Sequence, residues 1–115
     1  MRHCRLRSRM PRSFPSASLS PATIYGGSKI NQWFDNWHLE DRHQKPELQV
    51  EGLRASTEYV HGLVKREIEK VGKENVVLWG LSQGCATSLA ALLLWDGEPF
   101  AAVVGTCGWL PLMIW

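Results

Sequence analysis

The sequence contains few cysteines, and no two of them have the spacing of a metal or redox motif. The three are Cys4, Cys85 and Cys107, an odd number without a Cys-x-x-Cys pair. Such a set implies neither a disulfide framework nor a zinc ribbon, and it fits a reducing compartment. The sequence also lacks a Gly-x-Gly-x-x-Gly motif, a phosphate-binding loop and metal-ligand spacing. Nothing in the residues therefore calls for a cofactor or a metal.

A hydrophobic run long enough to cross a bilayer is absent as well. The longest apolar stretch, residues 86–95, contains Thr87 and Ser88 and is too short to span. No signal-peptide core lies near the start, and no Asn-x-Ser/Thr site occurs anywhere. We therefore expect a cytoplasmic protein without stable membrane insertion.

Acidic residues are missing from the first 13 positions. The basic residues there are Arg2, Arg5, Arg7, Arg9 and Arg12, which leaves eight basic against eleven acidic residues in the remainder. Residues 1–13 are predicted to be a disordered basic start, with a mitochondrial presequence or a nucleic-acid arm as alternatives. The mildly acidic remainder does not have the charge of a nucleic-acid binder, and we expect no nucleic-acid partner.

Residues 47–105 alternate between helical and strand patterns. Residues 47–72 predict an amphipathic helix, because apolar or small residues recur every three or four positions. These are Val50, Leu53, Thr57, Val60, Val64, Ile68 and Val71. Gly62 within this helix is interpreted as a point of close packing on a sheet. Continuous apolar runs at Val76–Trp79 and Ala101–Gly105 predict strands buried on both faces, with a second helix at 83–95 between them. The order predicts an α/β fold with a parallel sheet.

A Gly-x-Ser-x-Gly motif, Gly80-Leu81-Ser82-Gln83-Gly84, lies between the first of these strands and the second helix. A serine hydroxyl is a poor nucleophile unless its surroundings activate it. A sharp strand-to-helix turn displays the hydroxyl, and the backbone N–H groups that follow face the forming oxyanion. The motif in this context predicts Ser82 as a nucleophile and the Gln83 backbone N–H as an oxyanion donor.

A base and an orienting acid for Ser82 are not evident in the sequence. The four histidines, His3, His38, His43 and His61, all precede the serine, and only Asp96 and Glu98 are acids after it. Asp96 follows the predicted helix, about 20 Å from Ser82 at 1.5 Å per residue, which is too far to orient a base there. A substitute base from His38 or His43 remains an alternative that the spacing does not support.

Four motifs occur in an order that resembles the phospholipase/carboxylesterase family, whose members include acyl-protein thioesterases. They are Phe14-Pro15-Ser16-Ala17, Trp33-Phe34-Asp35, the serine motif and Gly108-Trp109-Leu110-Pro111. The resemblance covers about residues 14–112. It implies an α/β-hydrolase that cleaves carboxylic esters and thioesters without a cofactor or metal. Its substrates would be an acylated protein, a lysophospholipid or a small ester. It also implies that Trp33, Trp109 and Leu110 lie near the acyl site.

The sequence departs from the family pattern on both sides of the matched motifs. The family's His-Gly-Leu-Gly-Asp segment and its downstream Asp and His have no counterpart here. Residues 14–115 are therefore expected to form a partial α/β-hydrolase domain, a parallel sheet with flanking helices that lacks the N-terminal and C-terminal strands. We expect little or no esterase activity from it alone, as for a truncated gene model, a pseudogene or a splice product.

A function of another class stays open at this point. Trp33, Trp37 and Trp109 would suit a non-catalytic module that binds acyl chains or a partner without hydrolysis. The aromatic run at residues 33–37 fits either a wall over a substrate cleft or a loop held to the core by its aromatic side chains.

Overall fold

A computed structural model describes residues 12–41 and 44–111, which form four strands and two α-helices. Strands β1 (Leu19–Pro21) and β2 (Lys29–Asn31) pair antiparallel as a small hairpin. Its turn contains Gly26 and Gly27, with φ of 62° and 90°, a conformation that glycine adopts at little steric cost. The predicted disordered start lies outside the described residues apart from its last two positions.

Helix α1 (Glu47–Val71) is the long amphipathic helix predicted from the sequence. It ends at Gly72, which has a φ of 84° and donates its backbone N–H to the Ile68 carbonyl at 2.8 Å. The buried stripe consists of Gln49, Leu53, Thr57, Val60 and Val64. Val50 was expected in this stripe but is exposed, and Gln49 is buried in its place.

The two glycines inside α1 differ in their surroundings. The prediction that Gly62 marks a close approach is wrong, because a Cβ there would meet no atom within 4 Å. Gly52 marks it instead, since a Cβ on Gly52 would lie 2.9 Å from the Cα of Phe34. The close approach of α1 at a glycine is therefore to the aromatic segment, at Phe34.

The crossover unit is formed by strand β3 (Val77–Leu81), helix α2 (Gln83–Leu93) and strand β4 (Ala102–Thr106). The strands are parallel, with Val77 opposite Ala102 and Leu81 opposite Thr106. The predicted α/β order is confirmed, with element boundaries shifted by one or two residues. A partial parallel sheet is thus present, with its helices alongside.

The core lies between the two helices and one face of β3–β4. Its first cluster is Phe34, Leu53, Ala86 and Ala90, and its second is Val60, Val64, Val76 and Ala91. Helix α2 contributes mostly alanines, whose small side chains let it contact α1 and both strands. The helix that carries the serine motif is therefore held on two sides.

The opposite face of β3–β4 is not buried by any described residue. Val77, Trp79 and Leu81 alternate with Leu78 and Gly80, and the first three are about 60% exposed. Only the Leu78 side faces the core cluster of α1 and α2. The prediction that these strands are buried on both faces is therefore wrong for the residues described, because both helices pack on the same side.

Candidate active site

Ser82 occupies the single residue between β3 and α2. Its φ of 53° and ψ of −116° are unusual for a residue with a side chain and typically cost about 1–3 kcal/mol. Two backbone hydrogen bonds hold the turn: the Ser82 N–H donates to the Thr106 carbonyl at 2.9 Å, and the Ser82 carbonyl accepts from Ala86 at 3.1 Å. Ser82 is exposed, so the strained turn presents it at the carboxyl edge of the parallel strands.

Gly80 is required by the turn. A Cβ on Gly80 would lie 2.2 Å from the Gly84 carbonyl oxygen and 2.6 Å from the Cys85 nitrogen. No side chain fits there, because these are backbone atoms of the first turn of α2. Gly84 is different, since a Cβ there would meet only the Trp33 Nε1 atom, at 3.8 Å. The first glycine of the motif thus permits the strand–helix approach, and the second borders Trp33.

The segment after β4 also lies against the first turn of α2. A Cβ on Gly108 would be 2.3 Å from Cys85 Sγ and 3.2 Å from the Ser82 carbonyl oxygen. Cys85 itself is buried, in agreement with its interpretation as a small apolar helix residue. This packing brings the chain that leads to Trp109 next to the serine turn.

Gln83 is the first residue of α2, and both its backbone N–H and its side-chain amide are available for hydrogen bonds next to Ser82. Its backbone N–H belongs to the first turn, so no carbonyl of α2 can accept from it. The N-terminal end of a helix also carries partial positive charge, which favours a nearby oxyanion. Its side chain faces the other way: Oε1 accepts from the Trp33 N–H at 2.7 Å, and Nε2 donates to the Phe34 carbonyl at 2.8 Å. No pattern in the sequence indicated this side-chain role.

Trp33 and Trp109, two of the predicted acyl-site residues, pack against the same core cluster as Ala86 of α2. The Trp109 ring meets Phe34 edge-on at 6.0 Å between centroids, and Trp33 lies 6.3 Å from Tyr59. The third residue, Leu110, is half-buried beside Trp109 in sequence. The structure therefore brings Trp33 and Trp109 to one region adjoining the serine turn. Phe34, which the sequence did not single out, is the buried residue between them.

Trp37 does not join this group. It is partly exposed, and the Lys45 ammonium lies 3.4 Å from its ring centroid. Such a cation–π contact is typical of a surface aromatic residue. The aromatic run at 33–37 is thus divided between a buried Phe34, a half-buried Trp33 and an exposed Trp37.

Both histidines in the described residues bond to groups other than Ser82. The His61 Nε2 lies 2.7 Å from the Ala91 carbonyl oxygen, with its ring edge-on to Trp95. The His38 Nδ1 accepts from the backbone N–H groups of Glu40 and Asp41. His3 and His43 lie outside the described residues.

The two acids that follow Ser82 in the sequence are engaged at the far end of α2. Asp96 is 3.9 Å from the Lys65 ammonium, and Glu98 accepts a 2.8 Å hydrogen bond from Lys73. That hydrogen bond lowers the pKa of the Glu98 carboxyl and raises the pKa of Lys73. These contacts agree with the expectation that neither acid orients a base at Ser82.

Within residues 12–41 and 44–111, no three His, Cys, Asp or Glu side chains are grouped closely enough to hold a metal ion. In the same part of the chain, neither helix has the length and apolar character needed to cross a bilayer.

Comparison with known proteins identifies the family. The sequence profile of the phospholipase/carboxylesterase family matches residues 11–114. The chain belongs to this family. Similar proteins include acyl-protein thioesterase 1 of Debaryomyces hansenii, 32% identical over 101 residues, and carboxylesterase SOBER1 of Arabidopsis thaliana, 34% identical over 99 residues. These matches cover 86% and 85% of this chain and 42% of each relative.

Solved structures agree with the sequence comparison. The crystal structure of Arabidopsis SOBER1 matches with a TM-score of 0.73 at 31% identity, over 88% of this chain and 48% of that one. Acyl-protein thioesterase 2 of Zea mays matches with a TM-score of 0.63 at 29% identity, over 85% of this chain and 44% of that one. The α/β-hydrolase fold is thereby confirmed, and the chain spans less than half the length of these relatives.

Proposed function

We propose that Ser82 is the nucleophile of a serine hydrolase that cleaves carboxylic esters or thioesters. The observation that carries the proposal is the strained strand-to-helix turn at Ser82, with Gly80 in contact with the first turn of α2. Holding one exposed residue with a side chain in this conformation costs stability, and such strain is concentrated at functional sites. Membership of an esterase family supports the same assignment.

The proposed reaction proceeds through an acyl-enzyme. The Ser82 Oγ bonds to the substrate carbonyl carbon, and the resulting oxyanion accepts a hydrogen bond from the Gln83 N–H at the N-terminus of α2. The C–O or C–S bond then breaks, and the alcohol or thiol leaves with the proton that the serine has lost. Water next attacks the acyl-Ser82 ester, which releases the carboxylic acid and restores the hydroxyl.

We propose that the acyl chain lies against Trp33, Trp109 and Leu110. Two of these residues share the core cluster beside α2, and large aromatic rings supply apolar area for an alkyl chain. The similar proteins named acyl-protein thioesterase and carboxylesterase make an acylated protein, a lysophospholipid and a small ester the candidate substrates. The reaction would take place in the cytoplasm, without stable membrane insertion and without a nucleic-acid partner.

The 115-residue chain by itself is proposed to be a poor catalyst. His38 and His61 bond to other groups, so neither is placed to take the serine proton. Loss of the base in serine hydrolases lowers kcat by about six orders of magnitude, while the oxyanion donor and substrate binding retain part of the acceleration.

A non-catalytic acyl-binding module is the second candidate. The same engagement of His38 and His61 favours it, because Trp33 and Trp109 would then bind an acyl chain with neither described histidine placed to act as a base. It differs from the first candidate in one respect: Ser82 would form no covalent adduct.

The decisive experiment exposes the chain to p-nitrophenyl butyrate and identifies acylated residues by mass spectrometry. We expect one butyryl group on Ser82 and none in Ser82→Ala, while Ser28→Ala, an exposed turn serine, behaves as wild type. Steady turnover of the ester and of a palmitoyl thioester should be at least about 1,000-fold below that of Arabidopsis SOBER1. Rapid turnover abolished by Ser82→Ala would contradict the proposed weakness of the isolated chain. Saturable palmitate binding with no adduct on Ser82 would favour the binding module.

A further inference from the structure

The side chain of Gln83 is hydrogen-bonded at both ends to one short backbone segment. Its Oε1 accepts the Trp33 N–H at 2.7 Å, and its Nε2 donates to the Phe34 carbonyl at 2.8 Å. The partners are 50 and 49 residues away in the sequence. A primary amide accepts through its oxygen and donates through its nitrogen, whereas a carboxylate only accepts and an alkyl group does neither.

The opposite side of this backbone segment is fixed by α1. Ser56 Oγ donates to the Trp33 carbonyl, and Gly52 lets α1 approach the Phe34 Cα. These contacts restrain the segment on the side of α1, and the Trp33 N–H donates to Gln83 instead. The segment at 33–34 is therefore held between α1 and the first residue of α2.

Trp33 also lies close to the serine motif through its indole. Its Nε1 atom would be 3.8 Å from a Cβ on Gly84, the residue that follows Gln83. A rotation of the Gln83 side chain or a shift of the 33–34 backbone would thus move the indole relative to the serine turn. The residue that makes these side-chain hydrogen bonds is also the one whose backbone N–H lies at the start of α2.

We propose that the Gln83 side chain is a positioning residue that couples the acyl site to the oxyanion site. Its two hydrogen bonds fix the Trp33 indole beside the serine turn, and they restrain the peptide whose N–H faces the oxyanion. The role in acyl binding rests on the proposed function. The hydrogen bonds themselves do not, so the two parts are tested by different measurements.

The test uses the 115-residue chain with substitutions at Gln83 and at a matched surface glutamine. Gln83→Leu removes both hydrogen bonds with little change in size. Gln83→Glu keeps the acceptor for the Trp33 N–H and loses the donor to Phe34. The controls are Gln44→Leu and Gln44→Glu, because Gln44 is exposed and its side-chain amide donates to Asp41.

The first readout is hydrogen exchange of the Trp33 backbone amide by NMR. We expect exchange at least about tenfold faster in Gln83→Leu and close to wild type in Gln83→Glu, since only the former lacks an acceptor. The Trp33 indole resonance of Gln83→Glu should also titrate in acid, because a protonated carboxyl can again donate to the Phe34 carbonyl. The repulsion between carboxylate and carbonyl raises the pKa of the new glutamate. The Gln44 variants should show neither change.

The second readout is the shift of the Trp33 indole N–H resonance on titration with sodium octanoate at pH 7. Gln83→Leu should weaken octanoate binding about fivefold or more, which corresponds to one lost hydrogen bond, and Gln44→Leu should leave it unchanged. A residue that only stabilised the fold would lower the melting temperature without changing this affinity in the folded state.

Three results would overturn the proposed positioning role, and a fourth would count against the proposed reaction alone. Unchanged Trp33 exchange in Gln83→Leu would refute the hydrogen-bonded positioning. Faster exchange with unchanged octanoate affinity would reduce Gln83 to a structural residue, and the same holds if octanoate never shifts the Trp33 resonance in wild type. Normal octanoate binding without acylation of Ser82 would instead contradict the proposed reaction and leave the positioning role intact.

Discussion

At the scale of single residues, the site depends on which positions have room for a side chain. Gly80 and Gly84 are the two glycines of one motif, yet a Cβ would collide with backbone atoms only at Gly80. The sequence pattern treats the two alike, because a motif records residue types and not the space around them. The strained residue between them, Ser82, is the one that the motif located correctly at the strand–helix turn.

Replacing each of these two glycines with alanine should change the free energy of unfolding differently. Gly80→Ala forces a methyl group to within about 2.2 Å of the Gly84 carbonyl oxygen, so we expect a loss of at least about 3 kcal/mol in the free energy of unfolding. Gly84→Ala adds a methyl group at ordinary contact distance from Trp33, and alanine favours helix. It should be neutral or stabilising by up to about 1 kcal/mol. Urea denaturation followed by circular dichroism measures both, and equal losses would contradict this account.

At the scale of elements, packing is decided by small residues on helix faces. Helix α1 approaches the Phe34 backbone at Gly52, and α2 presents alanines to α1. Periodicity in the sequence predicted the length and the buried face of α1. It misplaced Val50, and the interpretation of Gly62 as the point of close packing was wrong as well, because a pattern within a helix does not say where the helix meets its neighbours.

The two glycines of α1 provide a matched pair within one helix. Gly62→Ala should raise the free energy of unfolding by about 0.5–1 kcal/mol, since the site is open and alanine favours helix. Gly52→Ala gains the same propensity but pushes a methyl group against the Phe34 Cα, and we expect a net loss of about 1–3 kcal/mol. A Gly52→Ala variant as stable as Gly62→Ala would show that α1 is free to shift away from Phe34.

The ion pair between Lys73 and Glu98 links the turn after α1 to the loop before β4. Because the hydrogen bond from Lys73 lowers the pKa of Glu98, the contact stabilises the fold above the usual pKa of a glutamate and is lost as the pH falls through the lowered value. Lys73→Gln should bring the Glu98 pKa back up towards the usual range, measured by carboxyl carbon NMR. Lys70→Gln is the control, since Lys70 pairs with Glu67 instead. An unchanged Glu98 titration in Lys73→Gln would refute the pairing in solution.

At the scale of the whole molecule, the sheet is covered on one face only within the described residues. Val77, Trp79 and Val104 expose apolar area that the two strand patterns predicted to be buried, and Leu81, which follows the first predicted strand, is exposed beside them. The curated relatives are more than twice as long as the matched region. The apolar composition of the strands was therefore read correctly, but the burial of each face depends on elements other than the strands.

Substitution of valine by threonine should change the free energy of unfolding little at exposed positions and substantially at a buried one. Val77→Thr combined with Val104→Thr should reduce the binding of the dye ANS and change the free energy of unfolding by less than about 1 kcal/mol, because both side chains are exposed and threonine suits a strand. Val64→Thr places a hydroxyl in the core cluster and should cost about 1–3 kcal/mol. A large loss of stability from the exposed pair would mean that this face is covered in solution.

The sequence by itself determined the α/β order, the parallel crossover, the family and the position of Ser82 in the serine turn. These follow from patterns local to the chain: apolar period, a helix between two strands, and one motif between a strand and a helix. Tertiary structure alone decided that Gln83 bonds to the backbone 50 residues earlier, and that Gly52 rather than Gly62 is a point of close packing. It also decided that one face of the sheet stays exposed in the described residues. Such features depend on which distant segments meet, and no local pattern records the distance between them.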